Sequence, residues 1–469
     1  MVPRESRVVM LTGQDSDRPS VDTPGWGAEQ EPEHEDVGTD GAESPPSLAT
    51  NTVWSLAAEG FRLVGSLVTF VILTRLYEPS EFGILVATIS LFGFVFPHAS
   101  VGAGWLVMKR VASEGWSPEE AMARATGMAL TGGVVAVAGL MLLRPLILPQ
   151  VSAAMFFGLA ISELFLVGMV EITLFAAQAT ERLIVKAATW TTYGMGRAAA
   201  ALAILVLVDD PDLGVWIVAN AMVGVLVLLM AQTMTLGRVV APVRPVWADV
   251  RLGLPYSLGF GSDRLRDVAD TVALVRLDYE ADAGLYSAAR RLVNVAQAPI
   301  IASLHAVNAR IWRAGGRSAA DARAVAVRST AVGAAYGSVV GVGILLGGSV
   351  AASFLGDSYE ETGAVLRWMS IVPLLLALET FAAMALTASG FHTHRVVWTL
   401  VSGVVNVGLN LWLIPDHGWR GAAGATIASS VLYVVALWLT LNWASQERVT
   451  RGSQDDGAQE HETANGATQ

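Results

Sequence analysis

Residues 62–88 recur, recognisably, as residues 263–289, at one constant offset from end to end. Each copy carries Arg-Leu (Arg75-Leu76 and Arg276-Leu277), followed by an acid, one apolar residue and Gly (Glu81-Phe82-Gly83 and Asp282-Ala283-Gly284), and each joins two hydrophobic stretches. An internal repeat of that period in a chain built of apolar stretches restricts the fold to two related bundles. The space between them is the natural place for a site.

The apolar stretches are long enough to cross a bilayer. Of the 469 residues 53% are hydrophobic and 15% charged, and about 20 apolar residues span the ~30 Å hydrocarbon core as a helix. Twelve such spans are expected, at 52–74, 82–107, 125–148, 151–178, 186–208, 213–237, 252–275, 282–307, 327–349, 362–388, 395–414 and 419–443. The expected fold is an all-α integral membrane protein of two pseudo-two-fold-related six-helix bundles, 52–237 and 252–443, around a central cavity. A linker, 238–251, joins them.

Lys and Arg set the orientation. The loops after the even-numbered spans hold fourteen of them, among them Lys109, Arg110, Arg124, Arg182, Arg238, Arg251, Arg313 and Arg395, whereas the opposite loops hold Arg75, Arg144, Arg276 and Arg420. Both termini are therefore expected in the cytoplasm, and six spans per half make the repeats parallel. Residues 1–51 carry eleven acids against three Arg, with Pro and Gly throughout. They read as a disordered acidic tail without the basic start and apolar core of a signal peptide, and 444–469 reads as a second tail. The net charge of −11 resides mainly in these tails, and no nucleic-acid partner is expected. The chain has no cysteine, which excludes disulfides and thiolate chemistry.

An ionisable group at the bilayer centre costs about 2.5–3.5 kcal/mol on insertion scales. The seventh span holds five: Asp263, Arg264, Arg266, Asp267 and Asp270. At about 100° per residue they form one stripe, with acid and base at neighbouring spacings. The stripe is either a salt-bridge ladder that locks the helix or the wall of a hydrophilic cavity. Ser or Gly would serve packing at far lower cost, which favours the cavity wall. In the first span Glu59 and Arg62 share a face, and Arg62 aligns with Asp263 across the repeat. Glu163 and Glu171, eight apart, are expected on one face of the fourth span as a cation or proton site. Arg197 lies mid-span in the fifth, as a substrate contact or a counter-ion for one of those acids. Of Arg290 and Arg291, one is expected to snorkel and the other to face inward. Glu379 stands alone in the tenth span, and Pro97 should kink the second.

Catalytic signatures are missing. The chain has no Gly-x-x-x-x-Gly-Lys-Ser/Thr loop, His392-Thr393-His394 lacks a third metal ligand nearby, and Asp209-Asp210-Pro211-Asp212 reads as a helix stop and cap. A transporter, not an enzyme, is expected.

The segment Thr74–Gly83, followed by Leu252-Gly253-Leu254-Pro255-Tyr256 and by Ala283–Leu292, resembles the Wzx-type oligosaccharide-lipid flippases of the multidrug/oligosaccharidyl-lipid/polysaccharide (MOP) flippase superfamily, as does the Gly-rich start of the last span, Gly421–Ser429. The resemblance spans about 52–443 and rests on helix-joining turns. It implies two bundles that rock about a central cavity, and a cargo of polyprenyl-pyrophosphate-linked sugar repeats moved to the outer leaflet of a bacterial plasma membrane. It also implies a polysaccharide polymerase and glycosyltransferases as pathway partners. Arginines suit a pyrophosphate through forked, charge-assisted hydrogen bonds. By position in this chain, Arg62, Arg197, Arg264 and Arg266, with Glu59, are the expected cargo contacts. No cofactor is expected beyond a coupling cation, H+ or Na+, for which Asp263, Asp267, Asp270, Glu163, Glu171 and Glu379 are the candidate acids. The excess of acid over base in the stripe leaves room for two other readings, a cation-coupled multidrug exporter of the same superfamily and a non-transporting scaffold of polysaccharide assembly.

Overall fold

Helix occupies every expected span. The computed structural model describes residues 48–466, and within them the side chains of 48–59, 62, 63, 255, 258–267 and 447–466 lie outside the description. The helices are α1 (Leu48–Leu76), α2 (Pro79–Ala99), α3 (Ala103–Ser113), α4 (Pro118–Ile147), α5 (Ala153–Leu159), a π-helical segment (Ala160–Val167), α6 (Gly168–Ala179), α7 (Leu183–Leu207) and α8 (Leu213–Leu236) in the first half. The second half has α9 (Trp247–Arg276), α10 (Glu280–Arg317), α11 (Ala319–Ser353), α12 (Thr362–Met369), α13 (Val372–Ala388), α14 (His392–His417) and α15 (Trp419–Gly466). No strand occurs among the described residues. Among the described residues nine helices meet the length and hydropathy of a membrane span, and the pair holding α12 and α13, bent by 47°, makes a tenth. The remaining two expected spans fall on α1 and α9, the repeat-equivalent helices that carry the charges. The chain is a multi-pass membrane protein.

Local chemistry starts the helices where they start. Pro79 opens α2, where its missing N–H costs nothing, and the Glu81 carboxylate accepts the Glu78 N–H at 3.3 Å. Ser117, Ser152 and Ser318 cap α4, α5 and α11 with their hydroxyls, and Asp212 caps α8 by accepting the Val215 N–H at 3.0 Å.

Three spans are not single continuous α-helices. The second is broken, not kinked: Val101 (φ 50°) and Gly102 (φ 66°) turn left-handed between α2 and α3. Pro97 withdraws one donor from the helix that precedes the break, and its own carbonyl accepts the Gly102 N–H at 3.2 Å. The fourth span contains the π turns at 160–167. The tenth bends between Met369 and Val372. The last helix also continues past the expected end at 443, to Gly466.

The repeat governs the packing. α1 lies along α7 as α9 lies along α14, and α7 pairs with α8 as α14 pairs with α15. The halves meet where α2 crosses α10, and the residues in contact are the repeat's own. A Cβ on Gly83 would lie 2.1 Å from the Glu280 carbonyl oxygen, and one on Gly284 would lie 1.9 Å from that of Pro79. Pro79 aligns with Glu280 and Gly83 with Gly284, so this is a self-complementary contact across the pseudo-two-fold, closed backbone to backbone because neither glycine carries a side chain.

Paired contacts reinforce that end of the molecule. Tyr77 donates to the Asp212 carbonyl (3.1 Å) as Tyr279 donates to that of Pro415 (2.8 Å). Gln150 reaches Asp278 (2.5 Å) from the first half, while Ser358 and Tyr359 of the second reach Glu78 (3.3 Å) and the Tyr77 carbonyl (3.1 Å). The repeat-turn end is thus sealed. At the opposite, arginine-rich end the start of α9 is tied to the first half: Asp249 accepts from Arg110 in a buried ion pair and has Arg124 at 3.8 Å, and both guanidinium groups lie on the Trp116 ring.

Candidate functional site

Two polar clusters occupy the interior, one in each half, and adjacent arginines of α10 point into both. This corrects the expectation that one of Arg290 and Arg291 snorkels. α10 is packed by α2, α9, α11 and α13, so at that depth neither side chain has a lipid face to follow.

In the second half the centre is Asp270, 0% exposed on α9. Its Oδ2 accepts from the Tyr286 hydroxyl (2.5 Å), the Thr426 hydroxyl (2.5 Å) and Arg290 (3.0 Å), and its Oδ1 accepts from the Asn410 amide (2.7 Å). The Asn410 amide also donates to Asn406 Oδ1 (3.0 Å), and Asn406 donates to Ser429 (3.4 Å). Helical spacing builds this row: Asn406 and Asn410 are one turn apart on α14, as Tyr286 and Arg290 are on α10.

Beside the cluster lies a cavity of about 320 Å³, lined by α10, α12 to α15 and the polar groups Arg290, Asn294, Gln297, Glu379, Asn406 and Ser430. Its polar wall is rich in amides and hydroxyls. Gln297 is buried, and its amide nitrogen has no acceptor among the described residues.

In the first half Glu163 accepts from the Asn220 amide (2.8 Å), which also donates to Ser162 (2.5 Å). Arg197 lies over the rings of Tyr193 (5.3 Å) and Trp216 (5.4 Å), within the field of Glu163. Arg291 reaches across from α10 to donate to Ser66 of α1 (2.8 Å) and lies over Phe70 (5.4 Å).

Glu163 and Glu171 do not share a site. The π turns between them carry more residues per turn than an α-helix and rotate the face. Glu163 therefore meets α8, while Glu171 lines a separate cavity of about 260 Å³ with Phe96, Trp105, Phe175 and Tyr256 at the α2–α3 break.

The other expected residues are spread accordingly. Glu379 is on the wall of the larger cavity and Asp270 is at the centre of the cluster beside it. Glu59 and Arg62 on α1, and Asp263, Arg264, Arg266 and Asp267 on α9, lie outside the described side chains. Asn406, Asn410, Tyr286 and Thr426 were not singled out in the sequence. The pair of Asn residues one turn apart in an otherwise apolar span was the available signal, since each needs a partner inside a membrane. Among the described residues no three His, Asp or Glu side chains converge on a metal-sized centre.

No protein-family model matches the sequence, and no curated protein matches it. Solved structures do share the fold. A multidrug resistance MATE family transporter of the MOP superfamily, in an inward-facing conformation, is 14% identical with a TM-score of 0.62 over 86% of this chain and 96% of that one. The lipid II flippase MurJ, inward closed, is 12% identical with a TM-score of 0.63 over 83% and 87%. A MOP superfamily transporter from Pyrococcus furiosus, described by the reverse polarity of its binding pocket, is 13% identical with a TM-score of 0.58 over 86% and 95%. The chain has the fold of these membrane transporters.

Proposed function

We propose that the chain is a flippase that moves polyprenyl-pyrophosphate-linked oligosaccharide repeat units from the inner to the outer leaflet of a bacterial plasma membrane, for surface polysaccharide assembly. Both termini are in the cytoplasm in this reading. The sealed repeat-turn end then faces outward, and cargo enters from the arginine-rich side. The halves rock against each other, and the Gly83–Gly284 crossing parts when that end opens, to give alternating access. Polymerase and glycosyltransferases of the same pathway are the proposed partners.

The observation that carries this reading is the wall of the larger cavity. Sugar hydroxyls both donate and accept, and Asn294, Gln297, Asn406 and Ser430 carry both functions on this wall, with the Gln297 amide lacking an acceptor among the described residues. Its volume of about 320 Å³ falls within the range of small-ligand sites. Arg290 at its edge, and Arg62, Arg197, Arg264 and Arg266 as proposed contacts, supply cations for a pyrophosphate, while the polyprenyl chain stays in lipid.

A second reading, cation-coupled export of drugs, draws on the aromatic cavity holding Glu171. An acid among Phe96, Trp105, Phe175 and Tyr256 suits an organic cation.

The two are separated by the lipid extract of a deletion strain. Accumulated polyprenyl-pyrophosphate oligosaccharides with lost surface glycan support the flippase, provided that wild type restores both and the double variant Gln297→Leu/Asn406→Leu does not. Unchanged lipid intermediates, together with new drug sensitivity, would replace it by the exporter.

A further inference from the structure

Asp270 was expected to be a coupling acid, a carboxylate that takes up a cation from solution. Its surroundings say otherwise. An ionised carboxylate has about four acceptor sites, and four donors reach this one: Tyr286, Thr426 and Arg290 at Oδ2 and Asn410 at Oδ1. One of the four carries a positive charge. A fully buried carboxylate keeps its own charge only with a cation beside it, and here that cation is covalently part of the chain.

We infer that Arg290 is the resident counter-cation of Asp270, standing where an exchangeable coupling cation would otherwise bind. The same guanidinium, with 21% of its side chain exposed, forms part of the wall of the larger cavity. An anionic group of the cargo that enters this cavity therefore competes with Asp270 for Arg290. Drawing the guanidinium away takes from Asp270 the cation described beside it and loosens α9 from α10, so occupancy of the cavity is felt directly by α9, whose start is tied to the first half. The seventh span can thus respond to cargo through an ion pair instead of through Na+ uptake. This role in coupling rests on the flippase reading, whereas the test below reads ion pairing alone, so either can fail without the other.

The test uses the purified full chain in detergent, with Na+ as the probe and choline at equal ionic strength as the reference. Wild type is expected to melt at the same temperature in both. Arg290→Ala should melt lower in choline and shift upward, saturably, with Na+, because the cation now fills the place left by the guanidinium. Arg290→Ala/Asp270→Asn, which removes both charges, should regain stability and lose the Na+ response. A saturable Na+ stabilisation of wild type that Asp270→Asn abolishes would overturn the inference, as would an Arg290→Ala protein indifferent to Na+. If Arg290→Ala alone does not fold, the double variant is still expected to purify and melt near wild type. Its failure would show that Arg290 holds the fold through something other than Asp270, and the inference falls.

Discussion

Gly284→Ala should open the sealed end of the molecule. The new Cβ would fall 1.9 Å from the Pro79 carbonyl oxygen, 2.7 Å from its carbonyl carbon and 2.9 Å from its Cα, all backbone atoms that no rotamer change can move aside. Real Cβ atoms essentially never approach closer than 3.0 Å, so the start of α2 must withdraw from α10 by more than an ångström. Overpacking of that kind costs about 1–3 kcal/mol. The cost is borne only in the state in which α2 and α10 touch, so the closed-to-open equilibrium should shift by about 5- to 150-fold. The natural chain has no cysteine, so Glu81→Cys and Glu360→Cys, both exposed and on opposite halves, can be spin-labelled without background and their separation measured by pulsed electron resonance. Gly284→Ala should raise the population at long distance, and Gly83→Ala, facing the Glu280 carbonyl at 2.1 Å, should do the same. The double variant should add less than the sum, because both act on one contact. Gly343→Ala, which meets nothing within 4 Å, is the control. A distance distribution for Gly284→Ala indistinguishable from that of Gly343→Ala would refute the reasoning.

Three further outcomes are expected. Asp249→Ala strands Arg110, buried beside Trp116, and should cost about 3–5 kcal/mol in denaturant or thermal unfolding, with Asp249→Ala/Arg110→Leu recovering most of it. Tyr359→Phe removes a buried hydrogen bond to the Tyr77 carbonyl and should cost about 1 kcal/mol, read by the same unfolding assay, while also raising the open population in the spin-label measurement. Burial, and then the charges of Asp212 and Glu81, push the Tyr77 phenol from 10.0 up to about 12. The folded chain therefore holds this proton more tightly than the unfolded one. Stability at the repeat-turn end should be fully present below about pH 10 and fall as pH rises toward 12, and Tyr77→Phe should flatten that fall in a melting-temperature profile.

Hydropathy and the repeat made the spans legible, because the cost of exposing backbone or charge to lipid leaves a chain of this composition little choice. The crossing of the halves falls on repeat equivalents, Gly83 and Gly284, but the repeat alone did not mark those glycines as the contact. The breaks were less visible. Pro97 marked the right region of the second span, but left-handed turns at Val101 and Gly102 depend on the packing of Gly102 against the Gly253 carbonyl at the start of α9. The π turns around Glu163 have no local signature, and they separated two acids that an ideal helix would align. Arg290 and Arg291 were misjudged for a different reason. Snorkelling assumes a lipid-facing side, and the run of buried residues from Ala283 to Ala289 shows that α10 has none there. Asp270 was found as part of a stripe on its own helix, yet the partners described for it come from α10, α14 and α15, which no spacing along α9 could reveal.

The central claim is that this chain carries a lipid-linked glycan across a bilayer, and reconstitution tests it most directly. Proteoliposomes holding the purified chain and a polyprenyl-pyrophosphate-linked oligosaccharide in both leaflets would be treated with a membrane-impermeant glycosidase. The account predicts that protein-free vesicles protect the inner-leaflet share, that wild type exposes nearly all of it, and that Gln297→Leu/Asn406→Leu slows that exposure. Protection that is equal with and without wild-type protein would contradict it.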